Sequence, residues 1–144
     1  MGDLLSAQGG GGGGGATSLT NANGGTVAAG SPVYSAGAGT FDKAKADSLS
    51  TSALIIGLLQ ADTATTASGD VQDTSGLTLT TGQWDARTGQ TGGLTPDAAY
   101  YVDPTTAGKL TSVAPTTVGQ VVAPIGVALS TTIMLVRIGQ SVLL

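Results

Sequence analysis

Strand-forming residues along this chain gather in short runs, and turn signals separate the runs at short intervals. The turn signals are Asn23-Gly24-Gly25, Gly30-Ser31-Pro32, Gly37-Ala38-Gly39, Ser68-Gly69-Asp70, Ser75-Gly76, Thr91-Gly92-Gly93, Asp103-Pro104 and Gly119-Gln120. β-rich runs at this spacing predict an all-β sandwich or small barrel. The expected strands are 26–28, 31–36, 40–46, 53–60, 70–73, 76–80, 98–103, 109–113, 120–129, 132–138 and 141–144. Helical turns are expected at most over 47–52 and 80–85, where the Thr80 and Thr81 hydroxyls offer caps.

Residues 43–61 admit a second reading, because Leu49, Ala53, Ile56 and Leu59 recur at the spacing of an amphipathic helix. An internal repeat argues for strands instead. Residues 39–63 align without gaps to 108–132, placing Gly39 on Gly108, Phe41 on Leu110, Ile56 on Ile125, Gly57 on Gly126 and Thr63 on Thr132. Upstream, Val33-Tyr34 resembles Tyr100-Tyr101 across a gap of two residues. The second copy carries Pro115 and Pro124, and a proline inside a helix costs about 3 kcal/mol. Two related β units are therefore expected, with the shared glycine marking a bulge or a close backbone approach.

The seven glycines Gly9 to Gly15 set the other boundary. Glycine loses more backbone entropy on ordering than any other residue, so such a run reads as a tether. Seven residues bridge about 15 Å. The expected organisation is a flexible N-terminal arm over 1–15 and one β domain over 16–144. Leu4 and Leu5 are the arm's candidate apolar anchor; the alternative is an arm that is disordered throughout. The start also fits the myristoylation pattern, Gly2 with Ser6, which chance often satisfies. It lacks the basic and long apolar regions of a secretory signal, and the apolar run 53–59 is too short to span a bilayer. A soluble chain with no membrane partner is expected.

Composition removes most chemistry. The chain has no Cys and no His, and all nine acidic residues are Asp. That excludes a Ser-His-Asp nucleophile, thiolate chemistry and Cys/His zinc sites. Asp70 and Asp73 resemble a fragment of a calcium loop but lack its alternate ligand spacing and terminal Glu, so turn roles are expected. The single Gly-Lys pair, Gly108-Lys109, has Asp103 where a P-loop needs glycine and Leu110 where it needs Ser or Thr. The five basic residues form no sequence patch under a net charge of −4, so no nucleic-acid partner is expected. No cofactor, no metal and no catalysis are expected. Among the few aromatics, most read as packing anchors. Trp84 sits in a polar stretch with Asp85 and Arg87, so these three are read as an interface.

From Leu77 onward the motifs resemble those of tailed-phage capsid decoration proteins, also called cement or head-stabilisation proteins. The resemblance spans roughly 26–136 and rests on Trp84-Asp85, on Gly92-Gly93-Leu94-Thr95-Pro96 before a Tyr-Tyr strand, and on Pro124-Ile125-Gly126-Val127-Ala128-Leu129-Ser130. It implies an all-β domain without catalysis, on the capsid exterior of a virion, partnered by the major capsid protein and by itself as a homotrimer. Similar modules occur in phage tail or head fibres, which is the alternative location. A polysaccharide-binding β domain is a third class, disfavoured by the scarcity of aromatics.

Overall fold

In the computed structural model, which describes residues 15–52 and 54–144, the turn-bounded runs pair into two successive sets of five strands. The first set is β1 (Ala16–Asn21), β2 (Pro32–Gly37), β3 (Thr40–Lys43), β4 (Ile55–Leu59) and β5 (Ser68–Gln72). It closes into a barrel of order β1-β3-β2-β4-β5. The second set begins with β6 (Thr74–Thr78), continues through the helix α1 (Thr81–Thr88), and adds β7 (Ala99–Val102) and β8 (Leu110–Thr111). After β9 (Val121–Val122) come β10 (Pro124–Ala128), β11 (Ile133–Arg137) and β12 (Val142–Leu143). Five of these form an open sheet of order β6-β11-β10-β7-β8, while β9 and β12 form a separate ribbon. The all-β expectation holds.

Several boundaries differ from the sequence reading. Strand β1 was not anticipated, because its alternation of Thr and Ser with a single Leu19 gives little apolar signal. The expected strand over 26–28 is reduced to one bridge, Val27 to Thr63. The described residues of 43–61 hold no long helix, only a 3-10 turn at Leu49–Thr51 ahead of β4. The helical turn at 80–85 is a full helix of eight residues.

The two sets are the same unit twice. Reading the barrel from β1 gives β1-β5-β4-β2-β3, and the sheet read from β6 gives the matching order, with β4 on β10 and β5 on β11. The registers agree residue by residue. In the barrel Pro32 pairs with Leu58, Val33 with Gly57 and Tyr34 with Ile55; in the sheet Ala99 pairs with Val127, Tyr100 with Gly126 and Tyr101 with Pro124. Both pairings slip at the same place, so Ile56 and Ile125 are the extra residues of equivalent bulges. The loops agree too. Gly30 N donates to Leu59 O, and Asp97 N to Ala128 O; Gly30 and Asp97 both have positive φ, 81° and 67°.

The units diverge at one step. In the barrel the chain runs on from β1, and Thr20 N donates to Gly39 O to join β1 to β3 in parallel. At the equivalent point of the second unit stands Thr80, which starts α1. Its Oγ1 accepts from Gln83 N at 3.1 Å, and Gln83 Oε1 accepts from Thr80 N at 2.9 Å. This reciprocal cap satisfies two of the helix's orphan donors and turns the chain away from the sheet. The second unit stays open because its first strand ends in a helix.

Two apolar clusters follow from this arrangement. Val27, Val33, Phe41, Leu59 and Val71 fill the barrel. A larger core joins Ala29, Ala44, Ala46 and Leu58 on the barrel's outer side to Trp84, Tyr100, Leu110, Ile125, Met134 and others of the second unit. Adjacent residues of a strand face opposite ways, so Leu58 enters the shared core while Leu59 fills the barrel. That is why the Ile-Ile-Gly-Leu-Leu run shows no alternation. Residues 44–46 carry the seam: Gly108 N donates to Ala44 O, Ala46 N to Asp103 O, and Val121 N to Ala46 O.

Gly57 and Gly126 are forced by close approach. A Cβ on Gly57 would run into the Gln72 carbonyl, and one on Gly126 into the Leu135 carbonyl, at equivalent places of the two units. Gly57→Ala and Gly126→Ala are each expected to lose more than about 2 kcal/mol in urea unfolding. Gly82→Ala, in α1 with open space around the new methyl, is expected to gain about 0.4–1 kcal/mol. A Gly57 or Gly126 variant as stable as the parent would contradict the packing described.

Candidate interaction surface

Of the residues singled out as an interface, Leu4 and Leu5 lie outside the described residues. Trp84 corrects the sequence reading. It is fully buried, and its Nε1 donates to Thr132 O at 2.9 Å. The polar stretch around it is the solvent face of α1, and the indole points the other way into the shared core. Asp85, half-buried, accepts from Gly92 N at 3.0 Å and Gly93 N at 2.7 Å, which pins the glycine turn after the helix. Within this chain these two residues are a fold-building pair.

Arg87 acts at the contact between units. One terminal nitrogen donates to Ser31 Oγ at 2.9 Å in the first unit and to Gly108 O at 3.0 Å in the second. Gly108 is the counterpart of Gly39, whose carbonyl takes the barrel-closing bond. A guanidinium therefore fills the acceptor that a strand N–H fills in the barrel. Burial lowers the Arg87 pKa from the usual arginine value, and the Asp62 carboxylate acts in the opposite direction. Its Nε is buried and has no acceptor among the described residues. Lys109 adds a second tie to the helix, Nζ donating to Ala86 O at 2.6 Å.

The exposed apolar surface lies elsewhere. β12 pairs with β9 in a two-stranded ribbon, extended by Gly119 N donating to Leu144 O and Leu144 N to Gln120 O. Val121 is buried, whereas Val142 and Leu143 are about half exposed, at 53% and 52%. Val118, next to the ribbon in sequence, is 87% exposed. Ser141 Oγ donates to Ser52 O at 2.7 Å, which ties the ribbon to the segment carrying exposed Leu49 and Leu54. Among the described residues the first unit has no counterpart of the ribbon, so it is an addition to the repeated framework. Its signal in the sequence is the apolar run 133–144, longer than a single sheet strand needs.

A groove of about 930 Å³ opens on another face, where the start of β1 and of β4 meet the end of β11. Half-buried Leu19, Ile55, Ile56, Leu135 and Ile138 line its floor, with exposed Asp73 and Arg137 at the rim.

No group of three or more His, Cys, Asp or Glu side chains gathers among the described residues. No helix among them is long and apolar enough to cross a membrane. Asp70 is exposed on β5 and Asp73 stands at the β5–β6 junction. No family model, curated protein or solved structure matches this chain.

The Arg87 contacts are testable. Arg87→Met leaves the carbonyl of buried Gly108 without this donor and is expected to cost about 1–3 kcal/mol of unfolding free energy. Lys109→Ala, at a more exposed bond, is expected to stay within about 0.5 kcal/mol of the parent. Equal losses in urea unfolding would remove Arg87 from its bridging role.

Proposed function

We propose that this chain is a non-enzymatic virion protein that binds the outer surface of a phage capsid and stabilises the head, assembling there as a homotrimer. The observation that carries the proposal is the β9–β12 ribbon, which presents Val118, Val142 and Leu143 to solvent outside the repeated framework. Exposed apolar side chains gathered on an edge strand favour a protein partner, and an unpaired edge favours strand addition. The resemblance of residues 26–136 to capsid decoration proteins supplies the kind of partner: the major capsid protein and other copies of the chain. A chain without Cys or His is also poorly equipped for most nucleophilic or metal chemistry. On the particle, residues 1–14 extend the reach of the domain to a neighbouring subunit, with Leu4 and Leu5 as the apolar contact.

Several weak contacts combined in this way raise avidity by roughly 10²–10⁴ without any strong individual site. Val142→Asp with Leu143→Asp is expected to leave the fold intact and to weaken loading onto bare capsids at least about tenfold, a loss of 1.4 kcal/mol. Removing residues 1–14 is expected to weaken loading as well. Capsids without the chain should assemble but rupture at lower temperature, as read by release of packaged DNA on heating. Wild-type loading by both variants would overturn the assignment of the surface. Finding the chain only on tails or fibres would replace decoration with an appendage role.

A further inference from the structure

We infer that Asn23 is a site of spontaneous deamidation, and that its conversion to a carboxylate weakens the seam that closes the barrel. Asn23-Gly24 is the sole Asn-Gly step in the sequence. The reaction needs only water. The Gly24 nitrogen bonds to Asn23 Cγ, the Cγ–Nδ2 bond breaks, and ammonia leaves with the proton of Gly24 N. Water then opens the cyclic imide to aspartate or isoaspartate. The loop presents these groups in a reactive state. Gly24 is exposed, and its N–H has no acceptor among the described residues. A Cβ at Gly24 would meet nothing within 4 Å, and its backbone is not left-handed. The fold therefore does not require glycine there, and the missing side chain leaves ring closure unhindered. Gly25 N donates to Asn23 Oδ1 at 3.0 Å. That oxygen gains negative charge as the ring forms, and a donor aimed at developing charge lowers the barrier. Asn21 is the contrast: it is buried, its Nδ2 donates to Gly25 O at 3.0 Å and Thr63 O at 2.9 Å, and Ala22 follows it.

The consequence follows from where Asn23 stands. β1 and β3 pair only at Thr20 with Thr40 and at Asn21 with Phe41. Past these, Ala22 N donates to Phe41 O at 2.9 Å, and Asn23 Nδ2 donates to Asp42 Oδ1 at 2.8 Å. The side-chain bond is thus the next rung of the barrel-closing seam. Asp42 Oδ1 also accepts from Lys43 N at 2.7 Å, which anchors that carboxylate on β3. Conversion of Asn23 removes the donor and sets a second carboxylate opposite the first. Like charges facing each other across paired strands are destabilising. Isoaspartate adds a further disturbance, because the main chain then runs through Cβ and Cγ and lengthens the loop that Asn21 clamps at Gly25.

Full-length protein is incubated in mildly alkaline buffer, native and in urea, and followed by anion exchange and by peptide mapping with isoaspartate detection. The native protein is expected to convert at Asn23 within about tenfold of the rate of the unfolded chain, with Asn21 unchanged. Gly24→Ala, which the open space accommodates, is expected to slow native conversion at least about tenfold. Native protein still intact when the unfolded chain has largely converted would overturn the site, as would equal rates for the parent and Gly24→Ala. The effect on the seam is read by urea unfolding of Asn23→Asp and Asn23→Ala. Asn23→Asp is expected to raise the unfolding equilibrium constant at least about fivefold, and Asn23→Ala, which adds no charge, by less. An Asn23→Asp protein as stable as the parent, or as stable as Asn23→Ala, would overturn the weakening of the seam.

Discussion

The Gly108 carbonyl needs a donor, and the way it gets one organises the whole molecule. In the first unit the equivalent carbonyl, of Gly39, is answered by Thr20 N, and that bond closes five strands into a barrel. In the second unit the chain has already turned into a helix at Thr80, so no strand is present to answer. The guanidinium of Arg87 reaches back from the helix and does so instead. The same nitrogen also holds Ser31 of the barrel. A buried charge is costly unless it is hydrogen-bonded. Helix placement, sheet opening and the attachment of the units are thus one arrangement.

An open second unit can offer the apolar face of its sheet to something other than itself. The barrel's outer residues Ala29, Ala44, Ala46 and Leu58 meet that face, and the small alanines let residues 44–46 exchange backbone bonds with three segments of the second unit. A closed second unit would turn that face into its own interior. The open sheet instead yields a shared core larger than the barrel's own, anchored by Trp84 and Tyr100.

Much of this was legible in the residues. The duplication showed in the alignment of 39–63 with 108–132, because the close approach of a carbonyl to Gly57 and Gly126 leaves room for no other residue at either site. The strand at 55–59 was legible for the same reason. Strand β1 was not, because it is a Thr- and Ser-rich strand with the single large apolar residue Leu19, and what fixes it is backbone pairing along the whole of β5. Trp84 was misread as an interface residue: its neighbours are polar since α1 shows them to water, and an eight-residue helix gives too short a period to reveal its buried side. The exposed ribbon was foreshadowed by the apolar C-terminal run, but the pairing of β12 with β9 joins residues about twenty apart in sequence, with β10 and β11 between them, which no local pattern encodes.

Every strand pair described lies inside one unit, and the partners of β1 are all complete by Gln72. Synthesis from the N-terminus therefore delivers all five barrel strands before the first residue of β6 appears. The nascent barrel can satisfy its backbone, yet it carries Leu58 and its neighbouring alanines on an outer wall whose cover is still unmade. For the time needed to translate residues 74–137, this half-finished chain is a closed barrel with an adhesive side, and a second nascent chain from the same message presents the same side nearby.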